Sequence, residues 1–191
     1  MTDSIIGILK ESLADECSFL LEDNIMERFL AGGKRIGLSP GEVLIHTGQY
    51  DPSVYIVISG VIRHAFMDGN NEHTATFALS PTMFMEYHCF YAGLSSFYQV
   101  EACCQSEVLR IPKQHYERMI AESHEFAKWA LSMADTQFFQ YERKKSLING
   151  DARERFEALI KNRPEIMERV PLRIIASYLG ITPQYVTIQP K

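Results

Sequence analysis

Pro171-Leu172-Arg173-Ile174-Ile175-Ala176-Ser177-Tyr178-Leu179-Gly180-Ile181-Thr182-Pro183-Gln184-Tyr185-Val186 is the stretch on which the reading of this chain turns. Its first half has the spacing of a short apolar-faced helix, and Ala176 is small enough to let a second helix pack closely. Gly180 supplies the backbone freedom of a sharp turn. Thr182 followed by Pro183 starts a second helix, with a hydroxyl cap and a proline at the first position. Ile175, Leu179, Ile181 and Val186 are the expected core between the two helices. A helix-turn-helix of this kind presents its second helix to the major groove of DNA. The sequence then reads Thr187-Ile188-Gln189-Pro190-Lys191, and Pro190 does not fit a helix interior. The second helix is therefore expected to span about six residues, or roughly 9 Å, giving an incomplete head that needs tertiary support.

Working outward, charge is unevenly spread. Residues 143–191 carry ten Lys/Arg against five Asp/Glu, whereas residues 1–142 carry nine against nineteen, and the chain nets −5. An acidic body with a basic tail fits a sensor joined to a module that binds a polyanion. The 191 residues, 46% of them apolar, suffice for one medium domain and a small one. No apolar run approaches the roughly 20 residues that cross a bilayer, and the start lacks the pattern of a secretory signal. A cytoplasmic protein with no membrane partner is expected. Cys17, Cys89, Cys103 and Cys104 form no C-x-x-C pair, so no metal site is expected and the four are read as reduced packing residues.

Upstream, the pattern changes twice. Ser4 to Leu13 and Asn24 to Leu30 read as short amphipathic helices, ended by Ala31-Gly32-Gly33. From Lys34 the chain reads as strands broken by turn residues: Glu42 to His46, Val54 to Ile58, Val61 to Phe66, Glu72 to Leu79, Phe97 to Ala102 and Glu107 to Ile111. Such spacing indicates an antiparallel sandwich or barrel. Ser80 to Leu94 interrupts the rhythm with Glu86, His88 and Cys89 in an aromatic setting and a short helix. Pro112 opens a helix, and Ser123 to Leu147 reads as the longest one, roughly 38 Å at the α-helical rise. Phe126, Trp129, Met133, Thr136, Gln140, Arg143 and Leu147 recur on it at three- and four-residue steps. That stripe is expected to pair with its twin in a homodimer. Asp151 to Asn162 is a further helix, stopped by Pro164.

This order resembles the Crp/Fnr superfamily of bacterial transcription regulators. The resemblance rests on Pro40-Gly41-Glu42, Tyr55-Ile56-Val57-Ile58-Ser59-Gly60, Glu107-Val108-Leu109-Arg110-Ile111 and Ile175-Ala176-Ser177-Tyr178-Leu179-Gly180-Ile181-Thr182-Pro183. It implies an α+β chain: N-terminal helices and an antiparallel, jelly-roll-like β-roll over 1–122, a dimerisation helix over 123–149, and an incomplete helix-turn-helix domain over 150–191. It also implies double-stranded DNA, RNA polymerase and a small-molecule effector as partners.

The family's cyclic-nucleotide cassette carries over only in part. Glu86 matches the glutamate that accepts from ribose, but Met85 replaces a glycine and Ser96 stands where the phosphate-binding arginine would. There is no Arg or Lys between Arg63 and Arg110. A buried phosphate would go uncompensated, so cyclic AMP is not the expected ligand. Glu86, Tyr87, Ser96, Phe97 and Tyr98 are the candidate pocket for a different effector. His88 and Cys89 raise the idea of haem ligation, which one branch of the family uses; neighbouring His and Cys in an aromatic loop are more often packing residues, and no cofactor is expected.

On the DNA side, the resemblance makes Gln184 the base reader, with Thr182, Tyr185 and Thr187 at phosphate or the thymine methyl and Arg169 and Arg173 at phosphates. A cupin-type enzyme would need clustered ligands beginning His-x-His, and His46, His64, His73 and His88 are scattered, so no enzymatic activity is expected. The remaining alternative is a binding-only dimeric sensor without a competent DNA head.

Overall fold

The computed structural model of the chain describes residues 6, 7, 9, 21–148, 151–182 and 184, with 137 and 140–148 described in backbone only. Among these residues eight strands form: β1 (Lys34–Leu38), β2 (Val43–Ile45), β3 (Val54–Ser59), β4 (Val61–Asp68), β5 (Asn71–Leu79), β6 (Thr82–Met85), β7 (Gln99–Ala102) and β8 (Ser106–Ile111). The helices are α1 (Asp23–Ala31), α2 (Tyr87–Phe90), α3 (Lys113–Glu122), α4 (His124–Ile148), α5 (Ala152–Asn162), α6 (Pro164–Arg169) and α7 (Leu172–Leu179). The strands make two four-stranded sheets, ordered β1-β8-β3-β6 and β2-β7-β4-β5, with antiparallel neighbours throughout. The fold is the expected α+β arrangement around an antiparallel β-roll.

Period-two alternation sorts each strand's side chains between two environments. Tyr55 and Val57 of β3, Ile62 of β4, Val100 and Ala102 of β7 and Val108 of β8 point between the sheets and fill the roll. The intervening Val54 and Ile56, with Met83, Met85, Leu109 and Ile111, face a layer built by α1, α3 and α4. On the second sheet, Val61, Leu79 and Cys103 face α5, α6 and α7 instead. Both sheets are thus covered on their outer faces, which is why residues 54–57 of β3 and 61–65 of β4 are buried without interruption.

Two elements escape the sequence pattern. Thr82–Met85, inside the stretch read as an interruption, is β6; it pairs Tyr55 with Phe84 and Ile56 with Met83. Pro164, read as a stop, does end α5 but also opens α6, where proline at the first position is preorganised for a helix. The helix read at 4–13 lies mostly outside the described residues, as does Cys17.

The turn at Ser59-Gly60 needs its glycine. Gly60 has φ +88°, and a Cβ there would stand 2.2 Å from the Ser106 hydroxyl and 2.7 Å from the carbonyl oxygen of Gln105. The Ser106 hydroxyl accepts from the Val61 N–H at 3.2 Å, so this close approach ties the start of β4 to the start of β8.

The long helix corrects one expectation. Phe126, Trp129 and Met133 do not form an open stripe: their exposures are 0%, 2% and 1%. Phe29 of α1 meets Phe126 at 4.9 Å and Trp129 at 5.9 Å between ring centroids, and Tyr116 of α3 meets Phe126 at 5.6 Å. The extra helical layer supplies the apolar surface that one small sheet lacks. Thr136 is half-buried, and the side chain of Gln140, with those of Arg143 and Leu147, lies outside the described residues. Among the described side chains, the large apolar ones left open on α4 are others, Leu131, Phe138 and Phe139, at 63%, 67% and 62% exposure.

Candidate functional site

The five residues expected to line an effector pocket divide into three groups. Glu86 is buried and occupied: its carboxylate accepts from the Cys89 N–H at 2.8 Å as the cap of α2. Ser96 is buried in a turn, where its hydroxyl donates to the Tyr98 carbonyl at 2.7 Å. Its backbone pairs with the loop before β3, Gly48 N–H to Ser96 O and Ser96 N–H to Gln49 O, both at 2.8 Å. Tyr87 is half-exposed and stacks on Tyr91 with ring planes 7° apart. Phe97 and Tyr98 alone meet as a pocket wall would. Phe97 touches Phe66 at 5.5 Å, and Tyr98 touches Phe66 at 6.1 Å and His64 at 5.9 Å. His64 and Tyr55 both pack on Phe84, at 5.1 and 5.2 Å.

This end of the roll is therefore aromatic and open to solvent at Phe97, which is 48% exposed, and the Ser96 hydroxyl is committed to the backbone. Ser96 as a phosphate donor would have to surrender its bond to the Tyr98 carbonyl, whereas the Glu86 carboxylate, bonded through one oxygen, keeps acceptor sites for a further donor.

Beside this segment sits a polar cluster that sequence reading missed. Asp51 accepts from Ser53 N–H at 3.0 Å and Tyr55 Oη at 2.8 Å, and pairs with Arg110 Nη2 at 2.9 Å. Burial alone would raise the Asp51 carboxyl, but the bonds from Ser53 and Tyr55 and the Arg110 charge outweigh it and hold it below the usual carboxylate range. A depressed folded-state value means the stability it contributes is present above the unfolded carboxylate range, near 3.9, and lost as pH falls through the folded value. Acid titration should therefore unfold Asp51→Asn with a shallower dependence on pH below about 4 than the parent, read by circular dichroism. Equal slopes would show that Asp51 takes no part.

A second missed cluster lies on the outer face of β4, β5 and β7. Arg63 is only 2% exposed, and its Nη2 lies 2.7 Å from Glu101 Oε1 while its Nη1 lies 2.8 Å from Glu72 Oε1. Burial alone would lower the guanidinium's pKa; the bonds and charges of Glu72 and Glu101 reverse that and raise it. The signal was present in the sequence: Val61-Ile62-Arg63-His64-Ala65-Phe66 places one cation within an apolar strand, and a buried cation demands partners. Nearby Cys103 faces the same layer, where burial pushes its thiol up to about 12 despite the Arg63 charge. Cys103 is a packing residue, as read.

The C-terminal helices rest on this sheet. The Asp151 carboxylate and Glu154 close a reciprocal capping box at the start of α5. At the other end Gly180 adopts φ +64°, and the Ile181 N–H returns to the Ala176 carbonyl at 3.0 Å, the turn expected after α7. Ile175 and Leu179 are buried against α5, α6, Val61 and Leu79, and Tyr178 packs on Phe77 at 4.8 Å. Arg169, Arg173, Thr182 and Gln184 are all exposed. Tyr185 and Thr187 lie outside the described residues, as does all of the expected second helix except Gln184. Among the described residues no group of three or more His, Cys, Asp and Glu is placed to hold a metal, and no helix is long and apolar enough to cross a membrane.

Residues 35–123 match the family model described as the cyclic nucleotide-binding domain. No curated protein matches the sequence at a significant level. Among solved structures, the c-di-GMP responsive global regulator CLP of Xanthomonas campestris is 16% identical, with TM-score 0.66, over 87% of this chain and 88% of that one. A proposed Crp/Fnr-family transcriptional regulator from Eubacterium rectale is 16% identical, with TM-score 0.67, over 92% and 82%. FixK2 from Bradyrhizobium japonicum is 19% identical, with TM-score 0.64, over 81% of each. The β-roll at residues 35–123 is thus a domain of the cyclic nucleotide-binding family, and the chain that carries it has the fold of the Crp/Fnr transcription regulators.

Proposed function

We propose that this chain is a non-enzymatic, Crp/Fnr-type transcription regulator that binds double-stranded DNA as a homodimer and takes an effector other than cyclic AMP. The observation that carries the DNA reading is α7 with its exposed Arg173 and left-handed Gly180 turn, preceded by exposed Arg169 and followed by exposed Thr182 and Gln184. The effector reading rests on the committed Ser96 hydroxyl, the aromatic side chains of Phe97 and Tyr98, and the lack of any Arg or Lys from residue 64 to 109. Dimerisation runs through α4, with Leu131, Phe138 and Phe139 replacing the stripe that the protomer itself buries.

Fluorescence anisotropy on a pool of promoter fragments at low salt tests the DNA reading. Binding should weaken linearly with the logarithm of salt, and Arg173→Ala should reduce that slope by about one, as for the loss of one phosphate contact. An unchanged slope removes Arg173 from the interface, and no binding to any fragment leaves the binding-only sensor. That alternative draws on the docking of α7 against the roll, which commits one face of the helix to the sensor.

A further inference from the structure

The buried Arg63 does more than balance two acids, because its bonds join β7, whose start directly follows the aromatic pair Phe97 and Tyr98, to the C-terminal helices. At one end, its Nε and Nη2 hold Glu101 Oε1 at 2.8 and 2.7 Å, and Glu101 Oε2 accepts from Gln99 at 2.7 Å. Gln99 directly follows Phe97 and Tyr98, the aromatic wall. At the other end, Nη1 donates to Thr74 Oγ1 at 3.1 Å, and that oxygen lies 3.3 Å from the Ser177 hydroxyl on α7. Ser177 then bridges two backbone groups of β5: it accepts from the Thr74 N–H at 2.8 Å and donates to the Glu72 carbonyl at 2.9 Å.

A guanidinium is a rigid planar fork, and in a site of low dielectric it does not leave a carboxylate partner at small cost. When Glu101 moves with β7, Arg63 must follow, and Thr74 and Ser177 lie on its far side. We propose that Arg63 is a positioning residue for α7, passing displacements of the 96–98 segment through Thr74 to Ser177 and so setting how firmly the C-terminal helices dock. This route acts within one subunit, separately from any change in how two α4 helices pack. It rests on the proposed function only in treating 96–98 as the effector segment and α7 as part of a reading head.

Amide hydrogen exchange of the full chain, read by mass spectrometry without DNA or effector, tests it. Glu101→Gln keeps the side-chain shape and removes the charge, on a strand separated from β5 by β4. Exchange of the 172–179 peptide and of the Thr74 amide is expected to rise at least tenfold, while the 113–122 peptide on the opposite side of the roll stays unchanged. A rise confined to β4 and β7 overturns the proposal. Since a general loss of fold would raise exchange everywhere, Thr74→Val is measured beside it. This variant removes only the hydroxyl between Arg63 and Ser177, and the same local rise at 172–179 is expected. An unchanged 172–179 peptide in Thr74→Val overturns the proposal whatever Glu101→Gln does. With DNA absent from both measurements, a chain that reads no operator leaves the result standing.

Discussion

Phe126→Ala is expected to lower folding stability by about 3–5 kcal/mol, the usual cost of emptying a fully buried aromatic site. The ring sits among Phe29, Tyr116 and Trp129, contributed by α1, α3 and α4, so its loss opens a void where three helices meet. Neighbours held on different helices cannot collapse into such a void together, which puts the expected cost in the upper part of the range. Urea denaturation followed by circular dichroism reads the change as a lowered midpoint with an unchanged slope. The folded variant should keep the parent's oligomeric state. A variant that denatures like the parent but associates differently would put Phe126 in an intersubunit contact and contradict its burial.

The second large effect falls on the other face of the same helix. Leu131→Glu combined with Phe138→Glu is expected to weaken self-association at least 100-fold, about 2.8 kcal/mol or more, and leave the protomer folded. The two positions are seven residues apart, so they share a helix face, and both side chains are more than half exposed. In a two-fold dimer each substitution enters twice, placing four carboxylates where apolar side chains would otherwise meet. Sedimentation velocity across a concentration series distinguishes the outcomes. A parent chain that sediments as a monomer, or a double variant that still dimerises at low micromolar concentration, removes α4 as the dimer surface.

Most of the roll was legible because turn residues punctuate it and its strands are short. Pro40-Gly41, Ser59-Gly60 and Asp68-Gly69 each stand at a reversal the structure contains, with Gly41, Gly60 and Gly69 all at positive φ. β6 was not legible, since Thr82-Met83-Phe84-Met85 follows Pro81 and lacks β-branched residues beyond Thr82; its place is fixed by pairing with β3, which is tertiary information. The long helix shows a different limit. Period alone finds an apolar stripe but does not say what covers it, and here residues from α1, distant in sequence, together with those of the adjoining α3, decided between a sibling subunit and the protomer's own core.

The candidate pocket was legible in its chemistry more than in its contacts. The stretch from 64 to 109 holds no Arg or Lys, so the expectation of a ligand other than a cyclic phosphate is a statement about charge that side-chain type alone can make. That Glu86 caps a helix and Ser96 closes a turn depends on loop conformation, and side-chain type does not encode it. Arg63 and Asp51 were overlooked for a related reason: a lone charged residue, whether within a strand as Arg63 or in the loop before one as Asp51, carries no periodic signal, although its burial forces a partner to exist.

The placement of Ser177 has a bearing on how this molecule stays in solution. β5 is the outermost strand of its sheet, and its free flank would otherwise offer the Thr74 amide and Glu72 carbonyl to any extended chain nearby. One hydroxyl on a helix satisfies both groups, and Phe77 beside them is roofed by Tyr178. The helical tail is in this respect a guard against amyloid-like stacking: a roll expressed without it would bare both a sticky ladder and the greasy surface of Val61 and Leu79.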